Sequence, residues 1–252
     1  MVELQDHNST EKPNWCPGCG NFTILKSVQK ALTELHCEPH NAVLVSGVGC
    51  FAKLPYWTKT NGFVGLHGRS LPVAQGIKLA NKDLTVIAFG GDGDGYSEGG
   101  NHFIHACRRD VPITYIVHNN GVFGLTTGQY SPTSDIGKKS KSSPLGSTER
   151  PLNPLAVAIA SGATFVARTY AGNMSHCVDI LTKAIQHDGF ALVDVIQPCL
   201  TFGKTTKYYT ERVYYLDDKY DPSDKSIAFI KAVESEHGQK IACGILYRET
   251  KV

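Results

Sequence analysis

Two periods alternate along this chain. Short runs of β-branched and apolar residues at Ala42–Ser46, 84–89 (LTVIAF), 113–118 (ITYIVH), 164–167 and Ala191–Ile196 predict strands of a parallel sheet, which read as continuous apolar runs because both faces are covered. Between them, apolar positions recur at helical spacing. A helix is expected over 22–36, where Ile24, Leu25, Val28, Leu32 and Leu35 share a face, and another over 71–81 with Pro72 in its first turn. Further helices are expected over 97–109, with Ser97 or Asp94 as N-cap, over 154–161 and over 173–187. This succession predicts an α/β fold, a mainly parallel sheet with helices on both faces. Residues 1–203 form one domain in this reading. Residues 204–252, with tyrosine pairs and a short strand at 241–247, form a C-terminal arm expected to pack on a partner. The lysines of 135–150, Lys138, Lys139 and Lys141, lie among serines, which predicts a mobile surface loop with solvated charges.

In such a sheet, ligands gather at the carboxyl ends of the strands. There the run 84–89 leads into Gly91-Asp92-Gly93-Asp94, and the run 113–118 leads into Asn119-Asn120-Gly121. The glycines allow close backbone approach, while a carboxylate and amide oxygens are hard donors that suit magnesium, an ion that completes its shell with phosphate oxygens. A diphosphate held through magnesium is the first expectation, against the plainer reading of two polar turns. His67-Gly68-Arg69 stands at the entrance of the 71–81 helix: Arg69 could grip a phosphate or carboxylate, and His67 could polarise a carbonyl or exchange a proton. Lys53 could meet a substrate carboxylate or be an ordinary solvated lysine. His102, His105 and His118 fall inside elements and read as packed or surface residues.

The eight cysteines change the picture further. Cys16-Pro17-Gly18-Cys19 has the spacing of a metal or cluster loop, with zinc or a redox pair as alternatives. Cys50, after Gly49, and Cys199, after Gln197-Pro198, both leave the ends of strands, so four thiolates could converge. Cys37, Cys107, Cys177 and Cys243 sit in apolar or helical contexts and read as structural. The polar N-terminus predicts no signal peptide, and no run approaches a membrane span. Eight cysteines without a leader point to reduced thiols in a cytoplasmic protein. A net charge of +2, without a basic stripe, argues against a nucleic-acid partner.

The paired Gly91-Asp92-Gly93 and Asn119-Asn120 resemble the thiamine diphosphate motif, which implies Asp92, Asn120 and the carbonyl of Val122 as magnesium ligands. With WCPGCG, SGVGC, LHGRSLPVAQGIKLAN, HNNGVFGLTTGQYSPT, NPLAVAIASGATFVAR and VIQPCLTF, the resemblance extends to the β subunits of 2-oxoacid:ferredoxin oxidoreductases, particularly the two-subunit type that includes 2-oxoglutarate enzymes. It implies a four-iron four-sulfur cluster on Cys16, Cys19, Cys50 and Cys199. It also implies thiamine diphosphate contacts from Gly49, Cys50, His67, Gly68, Arg69, Gly91, Asp92, Gly93, Asp94, Asn120, Val122, Gly124 and Leu125, with Lys53, His67 and Leu125 as the catalytic candidates. The implied reaction is oxidative decarboxylation of a 2-oxoacid, 2-oxoglutarate or pyruvate, with coenzyme A, electrons passing to ferredoxin. Thiamine enzymes take a glutamate from a second domain, so the resemblance implies an α subunit in a heterodimer or heterotetramer, without which this chain is inactive. A non-redox thiamine decarboxylase or carboligase subunit, and a structural subunit with a four-cysteine zinc site, are the competing readings.

Overall fold

A computed structural model describes residues 2–237 and 240–249, and the side chains of all of these except 235–237. Eight strands form one sheet: β1 (Ala42–Ser46), β2 (Asn61–Val64), β3 (Thr85–Gly91), β4 (Thr114–Asn119), β5 (Phe165–Tyr170), β6 (Ala191–Ile196), β7 (Val213–Tyr215) and β8 (Ile241–Arg248). Their spatial order is β2-β1-β3-β4-β6-β5-β8-β7. All pairings are parallel except that of β5 with β8. The helices are α1 (Asn21–Glu34), α2 (Ser70–Ala80), α3 (Gly100–Arg109), α4 (Pro154–Ala160), α5 (Met174–Ile185), α6 (Thr206–Thr210) and α7 (Lys225–His237). Among the described residues, no helix is long and apolar enough to cross a membrane.

Strands β1, β4, β5 and β6 are buried throughout and β3 from its second residue, and successive residues feed opposite cores. Leu44, Ile87, Phe89, Ile116 and Val193 join one core, which α1 and α5 cover with Ile24, Val28, Leu32 and Leu181. Val43, Val45, Val86, Ala88, Val117 and Leu192 join the other, under Leu71 of α2, Phe103 of α3 and Leu155 of α4. This period-two division explains why the strands are apolar on both faces.

One expectation changes, and two segments gain detail. The helix expected from 97 begins at Gly100, because Asp92–Glu98 winds first into a wider π-helical turn, and neither Ser97 nor Asp94 caps it. The segment from 204 onward adds β7 and β8 to the sheet, and α7 packs against α4 and β8, so it is anchored by strand pairing. The lysine-bearing loop is stitched to itself: Gly137 N–H donates to Ser147 O (2.7 Å), Ser147 N–H to Lys138 O (3.0 Å), and Leu152 N–H to Pro132 O (2.7 Å).

The turn after β3 requires glycine for a packing reason. A Cβ on Gly95 would collide with the buried hydroxyl of Tyr115 on β4. Gly95→Ala should therefore lower stability by about 1–3 kcal/mol in chemical denaturation. Adding Tyr115→Phe, which removes the colliding oxygen, should recover part of that loss, whereas independent effects would simply add.

Candidate functional site

Strands β1, β3, β4 and β6 are neighbours, so their carboxyl ends bring four loops into one place. Asp94, buried in the turn after β3, accepts backbone N–H bonds from Val48 beyond β1 (3.0 Å) and Gly68 beyond β2 (2.8 Å). His67 Nδ1 lies 3.1 Å from the same carboxylate. Burial pushes the Asp94 pKa up, while the two backbone donors and His67 pull it back. This carboxylate therefore clamps the loops beyond β1 and β2 onto the turn. Its use as a loop clamp is also why it is not free to cap α3.

Asp92 is held differently. Its Oδ2 accepts the hydroxyl of Ser131 and that of Thr133 (2.6 Å), and Thr133 Oγ1 also lies 2.9 Å from Asn119 Oδ1, which shares the same hydroxyl proton. Burial raises the Asp92 pKa, with Ser131, Thr133 and the Asn120 backbone N–H opposing. Among the described residues, no lysine or arginine forms an ion pair with it. A buried carboxylate whose hydrogen bonds come only from neutral donors, with the Lys138 charge acting on it from farther off, is a fitting place for a divalent cation. The next donors are adjacent in the chain: Asn120 Oδ1 accepts the Val122 N–H (3.0 Å), an Asx turn that fixes the amide against the following peptide. Ser134 Oγ and Lys138 Nζ both donate to Gly121 O, at 2.7 Å each. Lys138 is thus half-buried against this turn, unlike exposed Lys139 and Lys141, and the expectation of solvated lysines fails for it.

A second buried network stands behind the asparagines. Asp194 on β6 accepts from Arg168 Nε, Tyr96 Oη and Asn119 Nδ2, each at 3.0 Å. Asn119 is consumed by this network and by Thr133, which leaves the amide of Asn120 to face the cavity.

The cysteine loops are joined by aromatic packing. Trp15 donates its indole N–H to Cys50 O (2.7 Å) and packs edge-on against Trp57 (4.3 Å) and Phe22 (5.3 Å). Gly20 lies so close to Gln197, Ala171 and Pro198 that a Cβ there would strike the Gln197 side chain, which holds the N-terminal cysteine loop against the segment after β6. Burial raises the Cys19 and Cys50 thiols, and the charges of the other three cysteines of the set add to that in Cys50, those of Cys16 and Cys199 in Cys19. A methyl group added to Gly124 would stand 3.7 Å from Cys50 Sγ, 4.0 Å from Cys199 Sγ and 3.9 Å from Asn120 Nδ2. The thiols and the asparagine amide therefore share one glycine between them. Among the described residues, no three Cys, His, Asp or Glu side chains gather around a point close enough to ligate a single ion.

A cavity opens at this junction. Of the sequence candidates, Gly49, Cys50, His67, Gly91, Asp92, Gly93, Asp94, Asn120, Val122, Gly124 and Leu125 line it. Gly68 lies behind it, donating to Asp94. Arg69 is exposed and donates to Glu98 O (3.0 Å), and Lys53 donates to Asn14 Oδ1 (3.1 Å), so neither side chain lines the cavity. His118, expected to be an ordinary packed residue, is buried and does line it, with Nδ1 2.7 Å from Asn21 Oδ1. Burial pushes its pKa down to about 3, so the ring is neutral. Ser131, Thr133 and Gln197 went unnoticed as site residues. Ser131 and Thr133 lie in the Ser/Thr-rich stretch after the asparagines, and Gln197 stands two places before Cys199, but no spacing rule links them to a ligand.

Comparison with known proteins identifies the chain's relatives. Residues 47–195 match the thiamine pyrophosphate enzyme C-terminal TPP-binding domain, and residues 199–252 match the C-terminal region of the pyruvate ferredoxin oxidoreductase beta subunit. The chain is 48% identical to a 2-oxoacid:ferredoxin oxidoreductase subunit beta of Saccharolobus solfataricus, over 95% of this chain and 83% of the relative. It is 40% identical to the 2-oxoglutarate oxidoreductase subunit KorB of Mycobacterium tuberculosis, over 95% and 61%. A solved 2-oxoglutarate:ferredoxin oxidoreductase from Magnetococcus marinus, with 2-oxoglutarate, coenzyme A and succinyl-CoA bound, superposes with a TM-score of 0.96 at 38% identity, covering 100% of this chain and 86% of that one. The chain belongs to the β subunits of the 2-oxoacid:ferredoxin oxidoreductases, a thiamine diphosphate-dependent family of oxidoreductases whose β chains work with an α partner.

Proposed function

We propose that this chain holds the redox half of an enzyme that oxidatively decarboxylates 2-oxoglutarate or pyruvate with coenzyme A and delivers electrons to ferredoxin. The observation that carries this reading is Gly124, around which the Asn120 amide and the Cys50 and Cys199 thiols lie within 4.0 Å of one added carbon. A non-redox thiamine enzyme has no use for thiols at that distance.

Asp92, the Asn120 side chain and the Val122 carbonyl would hold Mg²⁺ against the diphosphate. Cys16, Cys19, Cys50 and Cys199 would hold the 4Fe-4S cluster. When bound, thiamine diphosphate supplies the electron sink for a decarboxylating 2-oxoacid and the cluster supplies a one-electron relay. The protein's contribution is placement. Ser131 and Thr133 orient Asp92, the Asx turn orients Asn120, and the Asp94 clamp brings His67 to the cavity, where its imidazole would polarise a carbonyl or move a proton. Leu125, half exposed at the rim, would cover the reacting group. Lys53 would act from outside the cavity, where its charge favours the Cys50 thiolate. The α subunit would supply the acidic residue for the aminopyrimidine and complete the substrate site.

Anaerobic copurification with the α subunit tests the whole reading. Four iron and four acid-labile sulfide per β chain are expected on the cluster assignment, with a reduced-cluster resonance on adding 2-oxoglutarate or pyruvate and coenzyme A. Zinc without sulfide would sink it. Cys50→Ala should lose the resonance yet still bind thiamine diphosphate.

The metal site has its own test, a magnesium titration of thiamine diphosphate binding followed by circular dichroism. Asp92→Ala should abolish magnesium-dependent binding. Thr133→Val, which only removes an orienting bond, should weaken magnesium by about 10–100-fold. Wild-type magnesium affinity in both variants would place the metal elsewhere.

A further inference from the structure

Gln197 joins the two halves of the site. It follows β6 directly, and its backbone N–H donates to Asn119 O (2.9 Å), which continues the β4–β6 pairing past its last residues. Its side chain is 2% exposed and lines the cavity that also holds Asp92 and Asn120. At its far end, Nε2 donates to Cys19 Sγ at 3.4 Å. The methylenes are held by Gly20, where a Cβ would stand only 2.7 Å from Gln197 Cγ, so the amide has little freedom to turn away. Cys19 is also met by a backbone hydrogen bond from Asn21, and because Pro198 has no N–H, the Gln197 amide is the side-chain donor that joins it from the β6 side.

We infer that Gln197 is a positioning residue that sets the reduction potential of the cluster. The inference rests on the four-cysteine cluster proposed above. Reduction adds one electron to the cluster and makes its sulfurs more negative, so an N–H aimed at a cysteine sulfur stabilises the reduced form more than the oxidised form. Burial of the Gln197 amide strengthens the effect, because water has little access to the bond it makes with the half-buried Cys19. The same side chain borders the cavity, so the donor at the cluster and the wall of the cofactor site are one group. Electrons leaving the cofactor site thus meet a cluster whose readiness to accept them is tuned by a residue the two sites share.

The test is a redox titration of the anaerobically purified complex with its α subunit, followed by electron paramagnetic resonance, alongside iron, sulfide and thiamine diphosphate content. Gln197→Leu preserves bulk and removes the donor; Gln197→Met, which keeps the length, serves if leucine prevents cluster loading. Either should retain cluster and thiamine diphosphate while the reduced cluster becomes about tenfold less favoured, a midpoint lower by about 59 mV for one electron. Gln197→Glu, which places a negative charge at the sulfur, should lower it further. An unchanged midpoint in a fully loaded Leu or Met variant overturns the inference, even if KM rises. Wild-type protein without iron and sulfide overturns the cluster reading itself, which separates the two failures.

Discussion

Two carboxylates buried within three residues, Asp92 and Asp94, are the constraint on which this site depends. Neither can stay in a low-dielectric turn without donors, since an ionised carboxylate without partners is strongly penalised there. Each recruits a different part of the chain. Asp94 draws in backbone N–H groups from the loops beyond β1 and β2, and Asp92 draws in hydroxyls from the segment beyond β4. The loops are held together by the need to satisfy these two groups. A cation at Asp92 would complete the balance that neutral hydroxyls only begin.

Around this polar centre, close approach is made by glycines and offset by aromatic packing. Gly93 leaves room for Phe123, Gly20 for Gln197, and Gly124 for the thiols on one side and the Asn120 amide on the other. Trp15, Phe22 and Trp57 anchor the N-terminal cysteine loop to the rest of the site. The result is a short path between two sites of different chemistry. Hard oxygen donors sit on the β3 and β4 ends, and soft sulfur donors sit on the β1 and β6 ends and the N-terminal loop.

Much of this was legible in the amino-acid order. Apolar runs too continuous to be half-exposed marked β1, β3, β4 and β6, and the helical period marked α1, α2 and α5, because burial on two faces and on one stripe leave different local patterns. The edge strand β2 was not legible, since its Asn-Gly-Phe-Val is exposed throughout and carries no burial pattern. Nor was α7, whose apolar residues do not form a clear stripe. The paired Gly-Asp-Gly and Asn-Asn, Cys50 and Cys199 were legible from their position at strand ends, Cys16 and Cys19 from their spacing, and most of the remaining cavity lining from the family resemblance.

What the sequence determined by itself is local: the strand and helix periods, and which chemistry stands at each strand's end. Tertiary structure alone decided which distant groups share an atom. That Thr133 and Ser131 bind Asp92, that Lys138 leaves solvent for the Gly121 carbonyl, that Gln197 reaches Cys19 and that Arg69 turns away to Glu98 depend on strand order and on packing between loops. Side-chain period and turn chemistry act over a few residues, whereas these bonds span 17 to 178 positions and form only once the sheet has set the loops side by side.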